Sequence, residues 1–279
     1  MFTDHRIDTP VGSLAVRVSE SGANRPAALL WHSLFVDSRS WHRVEDDLAE
    51  DRQLVTVSGP GHGDSQDSGR RYTIAECADA AAWVLDALRI ADPVDWVGNA
   101  WGGHVGIIFA AQRPQRCRTL ITVGTPVRAY SFKGRVETRA LLALYRLFGP
   151  TRFLTESVTA AMLSTRTREQ DAAAVDLVRD CFLSADRSRL SNAVTSISVH
   201  REDLTAFLPS IRVPTLFVTG DEHTEWPPQL AEAASRLLPQ GSTVVLEGAA
   251  YLGPLEAPER LTKLVREFWT DQRVRAGTE

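Results

Sequence analysis

The sequence predicts an α/β fold, a mostly parallel sheet covered by helices on both faces and interrupted by a helical insertion. Short apolar or β-branched runs recur at Ala27 to Trp31, Gln53 to Val57, Val94 to Val97, Thr119 to Val123, Thr215 to Thr219 and Thr243 to Leu246, with helical patterns between them. Short runs that stay apolar throughout suit strands buried on both sides, which is the condition of a parallel sheet. Between Pro126 and Pro209 the strand signal disappears, and the pattern becomes helical and richer in charge.

Taken in order, Val11 to Ser19 follows a Thr-Pro turn and reads as an antiparallel entry strand or hairpin. Thr73 with Glu76 makes a capping-box signature, and Ala80, Trp83, Val84, Leu85 and Leu88 supply the apolar face of a helix running to about Arg89. The strand Val94 to Val97 runs into Gly98-Asn99-Ala100-Trp101-Gly102-Gly103, and a helical pattern follows from His104 to Gln112. Within the insertion the helical stretches are Arg139 to Phe148, Thr155 to Ser164 and Arg168 to Leu183. The expected organisation is a core of residues 1–126 and 209–279 with a helical cap at 127–208. A ligand pocket is expected between them, at the carboxyl edge of the sheet where parallel sheets bind ligands. The last residues, Arg275 to Glu279, read as a frayed end.

At 279 residues the chain is long enough to bury a sizeable core. Its net charge of −4, with acidic and basic residues interspersed, offers no basic stripe for nucleic acid. No stretch approaches the roughly 20 apolar residues that cross a bilayer, and Met1 to Pro10 lacks the apolar run of a signal peptide. The expectation is a soluble cytoplasmic protein, monomeric or homodimeric, with no membrane or nucleic-acid partner. Cys77, Cys117 and Cys181 form no CxxC pair, which argues for a reducing compartment and against a disulfide framework or structural zinc. His223 adjoins Asp221 and Glu222 without a recognised ligand spacing, so no metal or cofactor is expected.

The glycine-rich turn at 98–103 resembles the nucleophile elbow of the α/β-hydrolase superfamily, in which small residues let a strand turn sharply into a helix. Other segments resemble the same family in order and spacing. His32-Ser33-Leu34 through Trp41 is similar to its oxyanion loop, and Pro60-Gly61-His62-Gly63-Asp64-Ser65 to the loop after the next strand. Val213-Pro214-Thr215 through Gly220, then Pro227-Pro228, resembles the acid-bearing strand and turn. Glu247 to Leu252, then Leu255 to Glu259, resembles the histidine loop and final helix. The resemblance covers nearly the whole chain outside the insertion and implies an eight-stranded α/β-hydrolase fold.

It also implies which positions carry a Ser, acid and His triad, and here those positions hold Ala100, His223 and Tyr251. Alanine has no nucleophilic atom, and a phenol of pKa about 10 is a poor proton acceptor at neutral pH. An oxyanion site is still expected, from the backbone N–H of Trp101 with one from Ser33 or Leu34 in the His32 loop. His223 and Tyr251 either form a new acid/base pair or fill the space the triad left. Trp31, Trp41, Trp101 and Trp226 map to one edge of the sheet and suggest a small apolar or aromatic ligand. His62 and His104 read as packing residues.

The functional expectation from these residues is a cofactor-independent, non-hydrolytic enzyme of lyase, cyclase or isomerase type, acting on a small hydrophobic carbonyl compound. Two alternatives stand beside it. One is a ligand-binding protein on a disabled hydrolase scaffold; the other is an ester, lactone or carbon–carbon bond hydrolase inactivated by substitution in the laboratory.

Overall fold

The computed structural model describes residues 1–20 and 25–276. Its strands are β1 (Phe2–Thr9), β2 (Gly12–Ser19), β3 (Ala27–Trp31), β4 (Gln53–Val57), β5 (Val94–Asn99), β6 (Cys117–Val123), β7 (Thr215–Gly220) and β8 (Gly241–Leu246). They form one eight-stranded sheet in the order β1-β2-β4-β3-β5-β6-β7-β8. Only β2 runs against its neighbours; every other pairing apart from β1 on β2 is parallel. Each apolar run in the sequence becomes a strand, because a strand buried on both faces must be apolar at every position. The entry segment is a hairpin, and its first arm, β1, is mostly exposed. An edge strand has one unpaired side and tolerates polar residues, so β1 carries no apolar pattern to read.

The helices are α1 (Glu45–Ala49), α2 (Ile74–Ala87), α3 (Trp101–Gln112), α4 (Phe132–Phe148), α5 (Arg152–Met162), α6 (Thr165–Gln170), α7 (Ala172–Ser184), α8 (Arg187–Val194), α9 (Pro228–Ser235), α10 (Gly253–Glu256) and α11 (Pro258–Ala276). One face of the sheet packs against α2, α3 and α9 through Ile74, Val84, Leu85, Val105, Phe109, Ala231 and Ala234. The other face packs against α1 and α11 through Leu48, Leu261, Val265 and Trp269. Each of the fully buried valine, leucine, isoleucine and phenylalanine side chains contributes about 1.5–3 kcal/mol of hydrophobic stabilisation before entropy is subtracted. The capping box forms as the sequence predicts: the Glu76 N–H donates to Thr73 Oγ1, and Glu76 Oε2 accepts from the Thr73 N–H. Helix α2 then ends at Ala87, just before Arg89 turns into the left-handed region at φ 59°.

Helices α4 to α8 lie between β6 and β7 in sequence. Met162, Val175 and Val178 of these helices meet Val36, the loop residue Leu252 and Leu255 of α10, so the insertion sits on segments beyond the carboxyl edge of the sheet. At the opposite, amino end of the sheet, Asp95 is fully buried and accepts from Arg52 Nε (2.6 Å), Arg118 (3.2 Å) and Thr119 Oγ1 (2.8 Å). All three cysteines are free and buried. Among the described residues no helix is long and apolar enough to cross a membrane. The frayed end expected at 275–279 lies largely outside the described residues.

Candidate functional site

The turn from β5 into α3 is tightly constrained. Ala100 sits there at φ 47°, ψ −102°, a conformation that a β-carbon disfavours. Its N–H donates to Val123 O at 2.7 Å, and its carbonyl accepts from the His104 N–H at 3.0 Å, so strand and helix both hold it. Glycines make the turn possible. A β-carbon on Gly102 would stand 1.9 Å from Trp31 O, and one on Gly98 2.2 Å from the Gly102 carbonyl. The helix therefore starts in direct backbone contact with β3 and β5, as the motif predicts. Trp101 is the first residue of α3, so its N–H has no acceptor within the helix and points out of the N-terminus with the positive end of the helix dipole.

The loop after β3 is tied to that helix start. Gly102 N–H donates to His32 O (3.1 Å), Gly59 N–H donates to His32 Nε2 (2.8 Å), and His32 Nδ1 bonds the Ser33 carbonyl (2.7 Å). An imidazole that accepts at Nε2 is neutral, and burial lowers its pKa to about 4. His32 is thus a brace for the loop carrying Ser33 and Leu34, both buried. The arrangement fixes those amides relative to the Trp101 N–H, which is the preorganisation an oxyanion site needs.

His223 and Tyr251, far apart in sequence, do come together: their ring centroids are 3.7 Å apart. Yet His223 is fully engaged, accepting from the Trp226 N–H at Nδ1 (3.0 Å) and facing the Gly124 carbonyl with Nε2 (3.3 Å). Burial lowers its pKa to about 4, so at neutral pH it is an uncharged brace rather than a free proton acceptor. The phenol of Tyr251 is held well above its ordinary pKa by burial and by the adjacent Glu225 carboxylate, to which it donates. The loop bearing Tyr251 is pinned by Asn99 Nδ2, which donates to Tyr251 O at 2.7 Å, and by Glu256, which accepts from the N–H groups of Ala250 and Leu252 at 2.9 Å each.

Arg201 completes this corner, and nothing in its sequence neighbourhood marks it. Its side chain is only 7% exposed, its nearest carboxylate is Glu225 at 4.0 Å, and its guanidinium lies 3.8 Å from the Tyr130 ring centroid. The order is therefore Arg201, Glu225, Tyr251, His223, joined in turn by an ion pair, a hydrogen bond and a ring contact. The other acids of the turn are structural. Asp221 accepts from the Gly248 N–H (2.7 Å) and Glu222 from the Thr165 N–H (3.0 Å).

The tryptophans do not form the wall of an aromatic pocket. Trp41 packs in the core on the α1 and α11 side of the sheet with Leu30, Val44 and Leu48. Trp31 and Trp101 meet edge to face at 5.6 Å inside the other core, and the ring of Trp101 also contacts His32 and His62. Trp226 packs edge-on against Phe217. Large aromatic rings near a sheet edge bury 150–250 Å² each, on the order of what a core layer needs, and that demand claims them here. His62 and His104 are buried packing residues, each bonded to a proline carbonyl. Among the described residues no group of three or more His, Cys, Asp or Glu is placed to hold a metal ion.

This geometry has many counterparts. The chain is 29% identical over 218 residues to a pimeloyl-[acyl-carrier protein] methyl ester esterase of Neisseria meningitidis, covering 77% of this chain and 81% of that one. It is 25% identical over 248 residues to the protein of the same name from Yersinia pseudotuberculosis, covering 86% and 92%. An esterase from Thermogutta terrifontis, solved with malate bound, superposes with a TM-score of 0.87 at 26% identity over 97% of this chain and 99% of that one. The enol-lactonase of Burkholderia xenovorans LB400 shares the fold, with a TM-score of 0.87 at 23% identity over 95% and 100%. These relatives are named for hydrolysis, and that finding corrects the expectation of a non-hydrolytic lyase, cyclase or isomerase. Residues 26–258 match the alpha/beta hydrolase fold family, and with most of its length inside that match the chain belongs to the α/β hydrolases.

Proposed function

We propose that this protein hydrolyses a small carboxylic ester, with water adding directly to the bound carbonyl and no acyl-enzyme forming. The observation that carries the proposal is the elbow: a strained Ala100 at φ 47°, held at the N-terminus of α3 with the Trp101 N–H facing outward. Kinship with esterases supplies the bond class. The residues at the elbow, the acid turn and the histidine loop supply the route: the resemblance to the family implies that its triad would stand at these three positions, and here they are Ala100, His223 and Tyr251. In this reading Ala100 marks the vacated nucleophile position, and its methyl leaves room for a water molecule. The Trp101 N–H and an N–H of Ser33 or Leu34 receive the carbonyl oxygen, and α4 to α8 act as the cap over the ester.

Water adds to the carbonyl carbon, its proton passing to bulk solvent, and the amides stabilise the resulting oxyanion. Collapse expels the alkoxide, which takes a proton from water. With His223 braced on two backbone groups and Tyr251 protonated, neither side chain serves as general base. Hydrolases stripped of their triad retain about 10³–10⁴-fold acceleration over water from the oxyanion hole and binding alone, and that sets the rate expected here.

The test is purified protein with p-nitrophenyl butyrate in ¹⁸O-water. The expected result is steady turnover about 10³–10⁴-fold above buffer, one heavy oxygen in the acid, and no initial burst or added protein mass. The rate should rise with hydroxide and show no inflection from about pH 5 to 8. A burst accompanied by an acylated protein overturns the direct-water route; a rate equal to buffer overturns hydrolysis.

A further inference from the structure

We infer that the outer face of α4 is a docking surface for an anionic lipid bilayer, on which the protein lies without crossing it. Helix α4 is only half partnered. Leu142 and Tyr145 are buried against Phe182, Leu190 and Val194. On the other side Phe132 (76% exposed), Val136 (46%), Leu141 (41%), Leu144 (40%) and Leu147 (70%) recur at intervals of three to five residues, with Phe148 (66%) next to the last, a broad apolar ridge along the helix. Gly149, at φ 75°, ends the helix and turns the chain so that Phe153 (65%), the second residue of α5, continues the patch. Isolated exposed apolar side chains need no explanation, but a continuous ridge of phenylalanines and leucines points to an interaction surface.

Charge decides the occupant. Lys133, Arg139, Arg146 and Arg152 are exposed around the ridge, with Glu137 as the acidic residue among them, although the whole chain carries −4. A second copy docked on this face about a twofold axis would set these cations against their own counterparts. A bilayer with acidic headgroups instead neutralises the rim while the phenylalanine and leucine side chains enter the acyl boundary, which is the pattern of an interfacial amphipathic helix. The sequence-based expectation of no membrane partner rested on the lack of a spanning segment, and a helix lying on the surface needs none.

The test is flotation of the full chain with phosphatidylcholine vesicles, with and without about 30 mol% phosphatidylglycerol. We expect about tenfold more bound protein on the acidic vesicles, and a loss of about fivefold for each cation reversed in Arg139→Glu and Arg146→Glu. The triple variant Phe132→Ser, Leu147→Ser, Phe148→Ser should abolish flotation while keeping its circular dichroism and urea midpoint, since all three side chains are exposed. Equal flotation of wild type and triple variant, or none on acidic vesicles, overturns the inference. So does a solution dimer, or a complex with an acidic protein, that the triple variant dissolves while vesicle binding is absent.

Discussion

Ala100 pays about 1–3 kcal/mol of backbone strain for a conformation that a methyl side chain does not need. Glycine takes φ 47° without a β-carbon penalty, so Ala100→Gly should raise stability by about 1 kcal/mol after its greater chain entropy is counted, measured by urea unfolding. A loss of stability would mean the turn is not strained. Restoring an oxygen alone should do little. In Ala100→Ser the new hydroxyl finds no base, because His223 is held by Gly124 and Trp226 and Tyr251 keeps its proton. Turnover should change by less than about tenfold, whereas adding His223→Asp and Tyr251→His should give a burst and a gain of at least about 10²-fold, since triad members act as a unit. A fast Ala100→Ser enzyme contradicts the brace assigned to His223. The elbow is legible in the sequence because its glycines stand between a strand run and a helix run. The brace is not, because one of its partners lies 99 residues away. Arg201 escapes for the same reason: its meeting with Tyr130 and Glu225 depends on how the inserted helices return to the sheet.

At the scale of the strands, the two ends of β5 do different work. The carboxyl end delivers the elbow, while Asp95 near the amino end collects Arg52, Arg118 and Thr119. A fully buried carboxylate persists only when its partners offset its lost hydration, and removing it takes the buried ion-pair partner from the Arg52 guanidinium. Asp95→Ala should therefore cost about 3–5 kcal/mol. The elbow lies about 15 Å further along the strand, so ester turnover per folded molecule should not change. Urea titration and turnover on the same sample separate the two; a stability loss below about 1 kcal/mol would reduce the network to ordinary surface pairing. Sequence pattern finds β5 because each of its residues is buried, and it finds α2 from its cap and apolar face. It misreads the tryptophans, since ring size marks a residue as buried without saying on which side of the sheet. Trp41 and Trp101 belong to opposite cores.

Across the whole molecule, four buried histidines share one electrostatic condition. Burial lowers the pKa of His32 and His223 to about 4 and of His62 and His104 to about 3. The unfolded chain holds these imidazoles near their ordinary value of about 6.5. Below that value the unfolded state binds protons that the folded state refuses, so stability rises with pH and falls as the solution is acidified from about 6.5 toward 4. Each histidine contributes a slope of up to about 1.4 kcal/mol per pH unit across that window. Asp37 and Asp171, held low by Arg39 and Arg43, lose their contribution only in stronger acid. Glu45 and Glu256, raised by burial, act in the opposite direction, gaining relative to the unfolded chain once the pH drops toward the ordinary carboxylate range. Urea midpoints should therefore fall steeply between about pH 6.5 and 5 as the histidines of the unfolded chain take up protons. His62→Gln should flatten that fall by up to one histidine's share, because a neutral amide in the same place has no proton to refuse. A midpoint unchanged from pH 7 to about pH 5 would show that the histidines are hydrated in the folded protein, and the loop bracing built on neutral His32 and His223 would fail with it.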